Sequence, residues 1–138
     1  RFDIRVLMAK DGQGTWKNVR THAWITKEEG KTDWIRGENW EALPLPHLIS
    51  ELVPGERGTL LLRQVADMSL YLVQNIELEV GPMGEIGLDF GLDVDLKPWF
   101  FEANTMPEKE PEPCDSPCVV SWAYQTVMEY AKYLAQKR

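Results

Sequence analysis

The chain has 138 residues and a mass of 15.9 kDa, enough to bury one modest core, so it reads as one domain or a piece of one. Its formal charge of −7 argues against general binding to nucleic acid or anionic membranes, although a local basic patch could still hold a phosphate. No run approaches the ~20 apolar residues needed to cross a bilayer; no signal peptide is visible, and a start at Arg1 reads as a cut from something longer.

From the N-terminus, Phe2, Ile4, Val6 and Met8 alternate with Asp3, Arg5 and Leu7, the period of a half-buried strand. Asp11-Gly12-Gln13-Gly14 is a turn signal, and Thr15 to Ile25 reads as the returning strand. A turn centred on Gly12 and Gln13 would set Arg5 opposite Arg20 and put Val19, Ala23 and Ile25 on the apolar face. Two opposed arginines repel, and an anion between them would settle the charge, since guanidinium forks suit phosphate oxygens. The plainer alternative is an exposed pair held by Asp3 and neighbouring carboxylates.

Thr26 to Pro54 carries a charged loop at Lys27 to Lys31 and little clear period until Pro46 to Val53, where a short helix is expected with Pro46 in its first turn. Gly58 to Val80 holds the longest helical pattern. Leu61, Val65, Met68, Leu72 and Ile76 form its apolar stripe, and Gly81-Pro82 stops it.

Ile86 to Pro107 reads as a β-hairpin whose two apolar arms flank Val94-Asp95-Leu96-Lys97. A turn centred on Asp95 and Leu96 places Asp89 opposite Glu102, with Asn104 two residues on along the same face and Gly87 opposite it. Opposed carboxylates repel unless a hard cation lies between them, and Asp, Glu and an Asn carbonyl are oxygen donors suited to Mg²⁺ or Mn²⁺. The same spacing on an exposed hairpin would otherwise make only an acidic, solvent-facing side.

Glu108 to Pro113 alternates acids with prolines and reads as an extended loop. Cys114 and Cys118 have the spacing of half a zinc site or a local disulfide, but no second Cys/His pair completes a zinc tetrahedron and cytosolic disulfides are rare, so they read as free thiols in a reducing compartment. Ser116-Pro117 opens a last helix, with Val119, Ala123, Val127, Tyr130 and Leu134 as its stripe. The architecture implied is α+β: an antiparallel sheet of about four strands with two long helices on one face.

Asp89 followed by Glu-x-Asn-x-x-Pro at Glu102 to Pro107 resembles the metal-binding end of ATP-grasp enzymes such as D-alanine–D-alanine ligase. FDIRVLMAKDGQGTW, GEIGLDFGLD and EYAKYLA further resemble the YheC/YheD endospore-coat-associated branch. The resemblance implies the C-terminal, metal-carrying subdomain of an ATP-grasp fold, as a single partial domain over residues 1–138 with the N-terminal half of the nucleotide site outside this chain. It implies ATP and Mg²⁺ (or Mn²⁺) as cofactors, with Asp89, Glu102 and Asn104 holding the metal and Arg5 and Arg20 meeting phosphate. The reaction implied is formation of an acyl-phosphate on an unknown carboxylate substrate for attack by an amine or similar nucleophile.

The isolated chain is then not an active ligase. The resemblance further implies a setting in the cytoplasm or the spore coat of a sporulating bacterium, with spore-coat proteins as candidate partners, and neither nucleic acid nor membrane is expected as a partner. Branch members tend to carry an Arg where this sequence has His22-Ala23-Trp24, which leaves open a catalytically degraded structural or interaction module of the spore coat.

Overall fold

A computed structural model describes residues 2–26, 40–107 and 117–137. Five antiparallel strands form one sheet in the order β3-β2-β1-β4-β5: β1 (Phe2–Lys10), β2 (Trp16–Thr26), β3 (Trp40–Pro44), β4 (Glu85–Leu92) and β5 (Pro98–Asn104). Three helices accompany them: α1 (Leu45–Leu52), α2 (Glu56–Val80) and α3 (Pro117–Gln136). The fold is α+β, as the periodicities indicate, with β3 added to the expected four strands, and the short helix expected over Pro46 to Val53 forms as α1 beside the two long ones.

The period of two along β1 divides the sheet into two faces. Ile4, Val6 and Met8 join Ala23, Ile86, Leu88 and Phe90 in the main core, against which Leu45, Leu48 and Ile49 of α1 and Leu61, Val65 and Val73 of α2 pack. Leu7, Ala9 and Val19 point the other way and are covered by Ala123 and Val127 of α3. The two long helices therefore lie on opposite faces and not, as expected, on one, because the central strand is apolar on both sides over Leu7 to Ala9. Lys27 to Lys31, Glu108 to Pro113, Cys114, Ser116 and the Cys118 side chain lie outside the described residues.

Each helix ends where its sequence says it must. Pro46 occupies the first turn of α1, where a missing N–H costs nothing. Gly81, at φ +92°, closes α2 and donates its N–H to the Glu77 carbonyl.

The β1–β2 turn departs from the expected one. Asp11 Oδ1 accepts the backbone N–H groups of Gln13 (2.9 Å) and Thr15 (3.0 Å), and Gly14 takes φ +77°, so the turn pairs Lys10 with Trp16. These bonds hold the Asp11 carboxyl below its ordinary pKa. A bulge between Leu7 and Met8 then leaves Val19 as the extra residue of β2. Val19 consequently turns away from the face shared by Ala23 and Ile25 and joins the α3 cluster.

A clasp of mixed chemistry ties α2, β1, β2 and α3 together. The Lys10 ammonium pairs with Glu77, and the Trp16 indole N–H (3.0 Å) and the Met83 backbone N–H (3.2 Å) donate to the same carboxylate. Lys10 Nζ also lies 5.2 Å from the Trp16 ring centroid and 5.4 Å from that of Tyr130. Burial alone would push the Glu77 carboxyl up, but the hydrogen bonds from Lys10, Trp16 and Met83 and the Lys10 charge hold it below its ordinary value. A carboxyl so lowered stabilises the fold above the unfolded glutamate range, and that stabilisation disappears as pH falls through the lower folded value. Urea unfolding between neutral pH and about pH 3 should show this acid limb in the wild type. Glu77→Gln should flatten the limb and be less stable at neutral pH; an unchanged limb would remove Glu77 as its source.

Candidate functional site

Strand pairing brings a polar row across four strands on the face opposite the main core. His22 of β2 pairs with Arg5 of β1, Arg5 pairs with Asp89 of β4, and Asp89 pairs with Glu102 of β5. A second row beside it runs Arg20, Leu7, Gly87, Asn104. All five residues singled out in the sequence, Arg5, Arg20, Asp89, Glu102 and Asn104, therefore share one sheet face.

The Asp89–Glu102 and Gly87–Asn104 pairings are those the spacing predicts, reached by a different route. Residues 93–97 form the loop: Asp93 N–H reaches the Lys97 carbonyl at 3.1 Å, and Asp93 Oδ1 accepts from the backbone of Asp95 and Lys97 at 2.9 Å each. Asp93 Oδ2 accepts from the Trp99 indole at 2.8 Å. The Trp99, Lys97 and Asp95 bonds hold the Asp93 carboxyl below its ordinary pKa. Pairing leaves this loop one residue out of the expected register, with Phe90 opposite Phe100, and a bulge between Asp89 and Phe90 restores it.

Arg5 grips Asp89 with two parallel hydrogen bonds, Nε to Oδ1 and Nη2 to Oδ2 at 2.7 Å. Both side chains are mostly withdrawn from solvent, at 14% and 10% exposure. Burial works against the guanidinium charge, but the Asp89 hydrogen bonds and the charges of Asp89, Asp3 and Glu102 outweigh it and hold the Arg5 pKa above its ordinary value. Glu102 and Asn104 are exposed, and Asn104 Oδ1 accepts the Met106 N–H at 2.9 Å, a turn that fixes the amide.

Gly87 lets Pro107 close over the strand beside Arg5. A Cβ at that position would stand 3.6 Å from Arg5 Cδ and 3.2 Å from Pro107 Cβ, so the bare backbone lets the proline fold in beside the arginine. Phe90 lies on the opposite face, at 0% exposure and edge-on to Phe100, and anchors the strand that carries Asp89.

One expected juxtaposition does not form. Arg20 pairs with Leu7 and His22 takes the place opposite Arg5, because the wider turn and the Val19 bulge together slide β2 by two residues. A slide of two keeps Arg20 on the same face, diagonal to Arg5. Arg20 and His22 are both buried.

With this geometry stand the comparisons with known proteins. The family model described as YheC/D like ATP-grasp matches residues 1–134. The chain belongs to the YheC/D-like ATP-grasp family. It is 24% identical over 115 residues to Endospore coat-associated protein YheC of Bacillus subtilis (strain 168), a match covering 78% of this chain and 29% of that protein. The chain thus spans less than a third of that relative's length.

For a YheC/D-like ATP-grasp chain, the fit of a divalent metal turns on the donors on the polar face. Among the described residues no three His, Cys, Asp or Glu side chains gather as a metal group. The donors available are instead two opposed carboxylates and the Asn104 amide oxygen, a hard oxygen set that fits Mg²⁺ better than a soft metal. Trp24 pairs with Asp3 and meets the His22 ring edge-on with centroids 5.6 Å apart, on the same sheet face as Arg5. His22 itself is the row member that sequence reasoning left without a role. Its alternation with Arg20 and Trp24 was the available signal. Among the described residues no helix is long and apolar enough to cross a membrane.

Proposed function

We propose that this chain is the ATP- and Mg²⁺-binding, metal-carrying half of an ATP-grasp ligase-like protein, one that forms an acyl-phosphate on a carboxylate substrate for attack by an amine or similar nucleophile. The observation that carries the reading is the row in which Asp89 and Glu102 oppose each other, with Arg5 on one flank and Asn104 two pairs along on the same face. Asp89, Glu102 and Asn104 would hold Mg²⁺ or Mn²⁺, which when bound offsets the charge of the terminal phosphates. Arg5 and Arg20 stand on the face where a transferred phosphoryl group would sit, and their fixed charges favour negative charge as it builds there. No protein nucleophile is needed, so Cys114 and Cys118 have no part. The substrate carboxylate and its nucleophile are bound by parts of the site that this half does not supply. The endospore-coat association named for the Bacillus subtilis relative supports a role in, or beside, the coat of a sporulating cell.

Titrating the intact protein that carries this chain with Mg²⁺-ATP tests the reading. Asn104→Leu removes one oxygen donor at similar volume from an exposed site, gives up the turn bond to the Met106 N–H, and should weaken binding by about tenfold with the core and strand pairing unchanged. Saturable ATP turnover by the 138 residues alone would overturn the half-site assignment. Trp24 on the polar face favours a second reading, a coat module of ligase descent whose site has decayed. Equal Mg²⁺-ATP affinity in the wild type and Asn104→Leu would favour it over the first.

A further inference from the structure

We infer that Arg5 is a gate on the metal site: by holding both oxygens of Asp89 it keeps a free divalent cation out, and it releases them only when a phosphate anion arrives to take over the guanidinium. This rests on the metal reading of Asp89, Glu102 and Asn104 and adds an order of events to it.

The two hydrogen bonds between Arg5 and Asp89 use one acceptor site on each carboxylate oxygen, and the two residues are direct neighbours across β1 and β4. A bare cation at the Asp89–Glu102 pair must compete with that fork for the best donor in the set. Displacing the fork strands a guanidinium at 14% exposure without its hydrogen-bonded counter-charge, and an unpaired charge so placed is strongly unfavourable. Glu102, the other acid, is exposed and already contributes to the field that holds Arg5 charged. With a cation between the two acids Glu102 is a ligand of that cation too, and so is not free to take over the fork from Asp89.

A phosphate changes the balance, because two oxygens on one edge of its tetrahedron can accept both N–H groups of the Arg5 fork, as the two carboxylate oxygens do. Arg5 can then turn from Asp89 to the anion without losing charge compensation, and the freed carboxylate can face the cation. The coupling is thermodynamic and so reciprocal: anion tightens metal, and metal tightens anion.

Mn²⁺ is the probe, followed by electron paramagnetic resonance of the free ion and by calorimetry on the intact protein. Inorganic phosphate at low millimolar concentration is the anion, chosen because it chelates Mn²⁺ weakly and cannot by itself deliver the ion as ATP does. In the wild type, phosphate should tighten Mn²⁺ binding by about tenfold, within the usual range of such couplings. Arg5→Gln should bind Mn²⁺ alone about tenfold tighter than wild type and gain nothing from phosphate. Arg5→Lys keeps the charge but not the fork, and should also bind Mn²⁺ alone more tightly; affinity equal to wild type would mean plain charge repulsion and overturn the gate.

Equal Mn²⁺ affinity in the wild type with and without phosphate would overturn the gate while leaving the metal site standing. Binding that Asp89→Asn does not weaken, or no Mn²⁺ binding even with ATP present, would overturn the metal site and the gate together. Should Arg5→Gln fail to fold, the wild-type pair of titrations still decides.

Discussion

Asp89→Ala is expected to damage both the fold and the proposed metal site, while Glu102→Gln is expected to damage the proposed metal site alone. Removing Asp89 leaves Arg5 charged, largely withdrawn from water and without its two hydrogen bonds, a loss of about 3 kcal/mol at the lower end of what breaking such a pair costs. The small residual exposure of both groups sets that lower end. Glu102 makes no such demand: it is exposed, and its loss should move stability by less than about 0.5 kcal/mol. Each substitution nonetheless removes one of the two carboxylates and should weaken Mn²⁺ binding on the order of tenfold or more. Urea unfolding and Mn²⁺ titration of both variants check the split. A Glu102→Gln protein that unfolds early, or keeps full metal affinity, would remove Glu102 from the role assigned to it.

Phe90→Ala is expected to give the largest loss of stability, about 3–5 kcal/mol. The ring has no exposure, sits in the main core beside Ile4 and Leu88, and packs edge-on against Phe100 with centroids 5.9 Å apart. Its position explains why function should fall with it. Phe90 follows Asp89 in β4 and faces Phe100 where the bulge begins, so the cavity left behind loosens the backbone that sets the Asp89–Glu102 pairing. The midpoint of chemical unfolding should drop sharply, and amide exchange should rise across Leu88 to Phe101 before it rises in α2. Phe90→Leu, which keeps most of the volume, should recover the larger share of the loss. A loss below about 1 kcal/mol for Phe90→Ala would place the anchor of this strand elsewhere.

Periodicity made the elements legible because period two and period 3.6 are properties of single segments. The stripe from Leu61 to Ile76 became α2 and the alternation from Phe2 to Met8 became β1, each within two residues of its expected start. Register was less legible, since it depends on turns whose side chains must be seen to bond. Asp11 and Asp93 each gather two backbone N–H groups on one oxygen, and both turns come out wider or shifted relative to a simple count. At the hairpin, the shift and the bulge cancelled, so Asp89 met Glu102 as expected. At β1–β2 they added, so Arg5 met His22 in place of Arg20. The burial of β1 on both faces was legible only with α3 in place over Leu7 and Ala9, a long-range contact that no local pattern records. The direct pairing of Arg5 with Asp89 was hidden for the same reason, because β1 and β4 are neighbours in space and far apart in the chain.

The surplus residue in β5 divides the hairpin into two parts with different tolerance to changes of length. Between Asp93 and Lys97 an added or lost residue alters only the tip, where Asp93 can regroup the free backbone donors. Between Pro98 and Glu102 the same change reverses parity, sending the acid and the amide of Glu102-Ala103-Asn104 toward the helix-packed interior and Ala103 into their place. The number of residues on that short arm, odd or even, is therefore as much a specification of the site as the identity of its acids.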